Sequence, residues 1–171
     1  TLKANGLKHI ATRTAGYDMV DLAAAKQNGL KVTNVPAYSP RSVAEHALMQ
    51  IFRLLRKTPE VDRRVAENDY RWPGLQAKEI HSVTVGIIGV GRIGGTLATL
   101  LHALNARVLG YDLKPREEME GIVEYVSKEE LLRQSDVVSL HVDLNPTSEG
   151  LLTKAEFDQM KPGASLVNAS R

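Results

Sequence analysis

The chain of 171 residues has no cysteine. That excludes a disulfide framework, a thiolate metal site and a thiol nucleophile, and it suits a reducing compartment. Net charge is also scarce: 22 Lys and Arg stand against 20 Asp and Glu, leaving +2. The basic residues are scattered, so nothing argues for nucleic acid or an anionic membrane surface as partner. Long apolar runs are missing too; the strongest, Val83 to Ile88, is far too short to span a bilayer, and no signal-peptide pattern opens the chain. These absences lead to the expectation of a cytoplasmic protein with a small-molecule partner. Apolar residues make up 43%, enough for a substantial core. A first residue that is Thr and a last element without a closing segment read as the ends of an internal piece of something longer.

What is present is a rhythm of strands and helices. Leu7 to Thr14 alternates as a strand, Gly16 breaks it, and Asp18 is placed to cap a helix running to Asn28. Gly29 then fits the C′ position, and "LKVTNV" reads as a second strand ended by Pro36, which makes the opening a βαβ unit. After Pro40, Ser42 with Glu45 fits a capping box, and Val43, Ala47, Leu48, Ile51, Leu54 and Leu55 form one helical stripe. That stripe serves either core packing or a dimer contact. Thr58-Pro59-Glu60 restarts a helix that fades into the loop "NDYRWPG". From Ser82 come "VTVGIIG" as strand, a helix over about Arg92 to Leu104, then "ARVLGYD" and "IVEYV" as strands. A helix capped by Ser127 with Glu130 follows, then "DVVSLHV", a helix over Lys154 to Met160, and "ASLVNAS". Continuously apolar strands alternating with helices predict an α/β fold with a doubly wound parallel sheet.

"GVGRIGG" places Gly89, Gly91 and Gly94 in the pattern G-x-G-x-x-G. The pattern alone is weak, because glycines also end strands for structural reasons. Here a strand precedes it, a helix follows, and Asp112 closes the next strand at the expected separation, which together predict a Rossmann-type site for NAD. Gly89 allows the tight turn, Gly91 lets a pyrophosphate approach the backbone, and Gly94 lets helix and strand pack closely. The N–H groups of Arg92 and Ile93 face the phosphates at the helix N-terminus. Asp112 accepts from the ribose hydroxyls and repels a 2′-phosphate, favouring NAD over NADP, a preference that the nearby Lys114 and Arg116 weaken. A methyltransferase using S-adenosylmethionine shares much of this pattern but usually lacks the third glycine.

With "TRTAGYDMVDLAAAKQNGLKVTNVPAYSPRSVAEHA", "VGIIGVGRIGG", "SDVVSLHV" and "MKPGASLVNASR" in one order, the chain resembles the D-2-hydroxyacid dehydrogenases over nearly its whole length. "VPAYSP" is similar to the D-lactate and D-2-hydroxyisocaproate branch. The resemblance implies residues 1–37 as part of a flavodoxin-like substrate domain, 38–81 as linking helices and loop, and 82–171 as the NAD-binding domain. It implies that Ala15 and Gly16 offer N–H groups to the substrate carboxylate and that Tyr38 lines the substrate pocket. Val142 matches a residue lying against the cofactor, and Asp143 stands where the family commonly has proline. Ser148 falls near a cofactor-holding position, and Ala169 and Ser170 match residues at the nicotinamide end. Arg171 matches the active-site arginine, and its planar fork suits a 2-oxo acid, holding carboxylate and carbonyl oxygens together.

Hydride transfer to a ketone also needs a proton donor, ordinarily a histidine beside a carboxylate. The family takes both from segments following the arginine. None of the five histidines here substitutes: His9, His46, His81 and His102 read as strand, helix or surface residues, and His141 as a structural or cofactor contact. The expected activity is therefore NAD-dependent oxidation and reduction of a small 2-hydroxy or 2-oxo acid such as lactate and pyruvate, by a homodimer without metal, with this chain alone inactive. The rival readings are an NADH-sensing corepressor on the same fold and, within the enzymes, phosphoglycerate or formate dehydrogenase.

Overall fold

Strands that are apolar on both faces need cover on both faces, and that requirement sets the architecture. The computed structural model describes residues 3–170. It divides between Ser39 and Pro40 into two compact units.

In the first unit β1 (His9–Ala11) pairs in parallel with β2 (Lys31–Thr33), and α1 (Leu22–Gln27) connects them. The cap of α1 is Asp21 and not the expected Asp18: Asp21 Oδ1 accepts from the Ala24 N–H at 2.8 Å. Asp18 lies too early because Val20 N bonds back to Tyr17 O, forming a turn before the helix starts. Gly29 takes φ +63° and its N–H reaches Lys26 O at 3.0 Å, the expected C′ geometry. The first strand is shorter than its alternation implied. Beyond Thr12 the chain bends, and Thr14 Oγ1 donates to Gly16 O.

The second unit opens with α2 (Pro40–Leu55) and α3 (Thr58–Ala66). It continues β3 (Thr84–Ile88), α4 (Arg92–Ala103), β4 (Arg107–Tyr111), β5 (Glu124–Tyr125), α5 (Lys128–Gln134), β6 (Val137–Leu140), α6 (Lys154–Phe157) and β7 (Ser165–Asn168). The sheet is parallel throughout, in the order β5-β4-β3-β6-β7. From β3 the chain winds outward to β5, then returns to the other side of β3 for β6 and β7. The carboxyl ends of β3 and β6 therefore flank the point where winding reverses, where open α/β sheets form their ligand crevice.

Each face of β3 has its own core. Val85 and Ile87 pack with α2 and α4 through Ala47, Ile51, Leu97 and Leu101. Ile88 packs with Leu131 and Leu132 of α5 on the other face. The α2 stripe is thus used inside the unit: Ala44, Ala47, Ile51 and Leu55 are buried, while Leu54 stays exposed. The capping box expected at Ser42 does not form, because α2 already starts at Pro40 and Glu45 pairs with Arg41 at 2.8 Å. Ser127 does cap α5, accepting from Glu130 N, but the Glu130 carboxylate takes Gln134 Nε2 and so only half of that box exists. A complete box sits unforeseen at Thr153 and Glu156, heading α6, which stops at Phe157.

Gly86 is small for a packing reason. A Cβ there would lie 2.7 Å from Leu131 Cγ and collide with Ser135 Oγ, so α5 sits directly on this backbone. Gly86→Ala should cost about 1–3 kcal/mol by overpacking, read as a lowered urea midpoint with unchanged slope.

Candidate cofactor site

At the end of β3 the backbone turns through Gly89 with φ +90°. A side chain there would lie 2.7 Å from His141 O, because the end of β6 crosses close beside the turn. On the other side, a Cβ on Gly94 would overlap the Gly89 carbonyl oxygen and approach Ile87 Cγ2 to 3.1 Å. Gly91 differs from both, since a Cβ there meets nothing within 4 Å. It is the N-cap of α4, with extended backbone and no side-chain acceptor for the first-turn N–H groups. Those groups, at Arg92 and Ile93, carry the partial positive charge of a helix of 12 residues. An anion beside Gly91 meets open space and unsatisfied donors together.

A cleft of about 240 Å³ opens at this turn. Ile88, Gly89 and Gly91 form its floor, Tyr111, Asp112 and Leu113 one wall, and His141, Val142, Asp143, Asn145, Thr147, Ser148 and Leu151 the other. Of the expected residues, Gly89, Gly91, Asp112, Val142, Asp143 and Ser148 therefore line one space. Arg92, Ile93 and Gly94 stand in the adjoining first turn of α4, where Ile93 packs on the core. Ala169 packs on that core as well, Ser170 donates through N and Oγ to Asn168 Oδ1, and both stand just beyond β7, apart from the residues that line the cleft. Arg171 lies outside the described residues. In the first unit, the Ala15 and Gly16 carbonyls accept from Asn34 Nδ2 and Thr14 Oγ1 at 2.7 and 2.8 Å, and Tyr38 is 64% exposed.

The Asp112 carboxylate is held in plane by two backbone donors, Val90 N at 2.7 Å and Lys114 N at 2.9 Å. Each oxygen keeps a lone pair for a further donor. This is the geometry a ribose diol requires. Arg116, expected to loosen the preference against a 2′-phosphate, is committed elsewhere, because its guanidinium bonds Gly91 O and Glu118. Ser148 Oγ is likewise engaged within its own loop, donating to Asp143 O and accepting from Asn145 N. Asn145 organises that loop, its Oδ1 accepting from Thr147 N and Oγ1. Asn145 is absent from the residues expected from the sequence, although the Asn-Pro step in "DLNPTS" is a turn signal that points to it.

His141 lines the cleft but is no proton donor near neutrality. Burial pushes its pKa down to about 4. Its Nε2 sits 2.8 Å from Ser139 Oγ, and its buried Nδ1 has no partner among the described residues. His81 does stand 3.4 Å from Glu79, but it precedes β3 and so lies at the end of the sheet opposite the cleft. An unfolded histidine protonates near 6.5 and His141 only near 4, so between those values the folded state binds fewer protons. Stability should fall by up to about 3 kcal/mol as pH drops through that window. The carboxylates of Glu60, bonded to Arg63 and Arg64, and of Glu156, bonded to Thr153 and Lys128, are held at about 2 and act mainly lower. Urea titrations between pH 7 and 4.5 should show this slope, and His141→Gln should flatten it.

Comparison with known proteins agrees with this geometry. Residues 48–171 match the model of the family described as D-isomer specific 2-hydroxyacid dehydrogenase, NAD binding domain. A D-2-hydroxyacid dehydrogenase (NAD(+)) of Clostridioides difficile is 45% identical over the whole chain and 52% of its own length. A D-lactate dehydrogenase from Sporolactobacillus superposes with a TM-score of 0.83 at 56% identity, covering 99% of this chain and 51% of that one. The Aquifex aeolicus D-lactate dehydrogenase, solved with NAD and lactic acid, gives 0.90 at 38% identity, covering 96% and 50%. The chain thus spans about half the length of the relatives it matches. With an uncapped helix N-terminus, a glycine cradle and a ribose-ready aspartate at the switch point, and the family model matching across them, this chain belongs to the NAD-binding domain family of the D-isomer specific 2-hydroxyacid dehydrogenases.

Proposed function

We propose that this chain serves an NAD-dependent D-2-hydroxyacid dehydrogenase of D-lactate dehydrogenase type, acting between pyruvate or a similar 2-oxo acid and its D-2-hydroxy acid. The observation that carries the reading is the cleft at the β3–β6 switch point, with Gly91 open to a phosphate and Asp112 held ready for a ribose. The bound cofactor would supply or accept the hydride at C2 of the acid. Asp112 would fix the adenosine end by accepting from both ribose hydroxyls, and Arg92 and Ile93 would hold the pyrophosphate through their N–H groups. Val142 and Asp143, lining the same cleft, would flank the cofactor further along. Arg171 would anchor the acid, its fork drawing charge onto the carbonyl oxygen as hydride arrives. Ala15, Gly16 and Tyr38 are proposed substrate contacts. The carbonyls of Ala15 and Gly16 are tied to Asn34 and Thr14, which holds that loop in shape.

The five histidines of this chain do not supply the proton. His141 is neutral at pH 7 because of its burial, and His81 is at the wrong end of the sheet. A homodimer and a cytoplasmic setting belong to the proposal as well. The dimer is supported by apolar side chains left uncovered: Leu54 of the α2 stripe, together with Met49, Val65, Tyr70 and Trp72. Sedimentation velocity reads it directly, a monomer at micromolar concentration counting against it.

NADH should bind the chain and quench or shift its own fluorescence, with NADPH binding at least about tenfold more weakly because of Asp112. Gly91→Ala should keep the thermal midpoint, since its Cβ meets nothing, yet weaken NADH by about tenfold or more by crowding the pyrophosphate. Equal NADH affinity in the variant would count against the cradle. Pyruvate should not be reduced at an enzyme-like rate by the 171 residues alone, and should be by the protein joined to its proton donor. A joined protein that binds NADH and leaves pyruvate untouched would favour the corepressor reading.

A further inference from the structure

Resting on the reading of the cleft as an NAD site, we propose that Arg116 is a positioning residue for the pyrophosphate-binding turn, acting from the β4–β5 connection. Its Nη1 lies 3.0 Å from Gly91 O and 3.4 Å from Val90 O, across a sequence separation of 25 for the closer contact. The guanidinium sits close against the start of α4, since a Cβ built on Gly95 would come within 3.0 Å of the same nitrogen. Two further contacts hold Arg116 in place. Glu118 Oε1 accepts from its Nη2 at 2.7 Å and its Nε at 3.1 Å, and the backbone N–H of Arg116 donates to Tyr125 Oη at 3.2 Å.

Together with Asp112 this makes a grip on one peptide segment from two sides. The Val90 N–H is held by the Asp112 carboxylate, and the carbonyls of Val90 and Gly91 are held by Arg116. A turn with glycine at two of its three positions has no side-chain packing of its own to define it, so its donors point where outside contacts make them point. The N–H groups of Arg92 and Ile93 follow immediately, and their direction is what a pyrophosphate reads.

Helix stability does not account for this arginine. A cation against the positive end of α4 opposes the macrodipole, so the placement is unfavourable for the helix in isolation. It is favourable for a doubly negative ligand at the same end. The ion pair with Glu118 offsets part of the charge, while the fork geometry, which lysine lacks, serves the carbonyls and the carboxylate together.

The test is calorimetric titration of the full chain and its variants with NADH, ADP and adenosine, the last followed by ligand-observed NMR. Arg116→Ala should weaken NADH and ADP by about tenfold and leave adenosine unchanged, because only the first two carry a pyrophosphate. Arg116→Lys should recover less than half of that loss on a logarithmic scale. Glu118→Ala, which keeps the guanidinium but frees its outer end, should show a smaller loss with the same ligand selectivity; it also answers the question should Arg116→Ala fail to fold. Equal weakening of adenosine and NADH would mean general destabilisation and overturn the proposal. Full rescue by lysine would mean charge without positioning, and wild-type affinity in Arg116→Ala would remove the role altogether. If the unaltered chain fails to bind NADH, the cofactor reading itself falls; if it binds and the variants match it, only the role of Arg116 falls.

Discussion

The contact on which the rest depends is the one between the Gly89 carbonyl and the first turn of α4. Gly94 has no Cβ to keep the helix off that carbonyl, so α4 descends onto β3 until backbone meets backbone. Leu97 and Leu101 are thereby brought onto Val85 and Ile87, and α2 packs outside α4 on the same apolar layer. The helix N-terminus is held at the carboxyl end of the sheet by the same contact. The packing of α4 and the placement of its N-terminus are thus two results of one missing methyl group, and a larger residue at this position would disturb both.

Around that contact the electrostatics point one way. Gly91 offers no side chain to satisfy the first-turn N–H groups, and Arg116 adds a formal charge where the helix already has a partial one. Asp112, one strand over, supplies the opposite sign on the wall of the same cleft. His141 takes no part in this charge pattern, because burial without a charged partner keeps it neutral at physiological pH. The cleft is therefore positive at its turn and negative at its wall. That asymmetry is complementary to a dinucleotide, whose phosphates are anionic and whose ribose donates.

Much of this was legible residue by residue. The glycine spacing, the strand before it, the helix after it and Asp112 are local features whose meaning survives without knowing the fold, and the structure brings Gly89, Gly91 and Asp112 into one cleft with Gly94 in the adjoining helix turn. The cap at Ser127 and the C′ role of Gly29 were legible for the same reason. The misreadings share a cause. Asp18 and Asp21 are both chemically fit to cap, and only the turn from Tyr17 to Val20 chooses between them. Ser42 and Glu45 have the right spacing, but Pro40 starts the helix earlier. For the α2 stripe, a dimer contact and a core contact need the same periodicity, so periodicity could not separate them. Burial against the core accounts for Ala47, Ile51 and Leu55, while Leu54 stays exposed.

What the sequence determined by itself is what acts over a few residues: strand and helix order, the glycine turn, the absence of thiol chemistry, and an acid at the end of the second strand of the glycine-loop unit. What only the tertiary structure decided are the contacts that join distant segments. Arg116 reads as a free basic neighbour of Asp112 until Gly91 and Glu118 claim it. Ser148 reads as a free hydroxyl near the cofactor until the fold lines the cleft with it and its hydroxyl donates to Asp143 O. His141 reads as a structural or cofactor contact, and only its burial in the fold decides that it stays neutral near pH 7. In each case the side chain's chemistry is written in the sequence, while its partner and its exposure to water depend on which other segment folds against it.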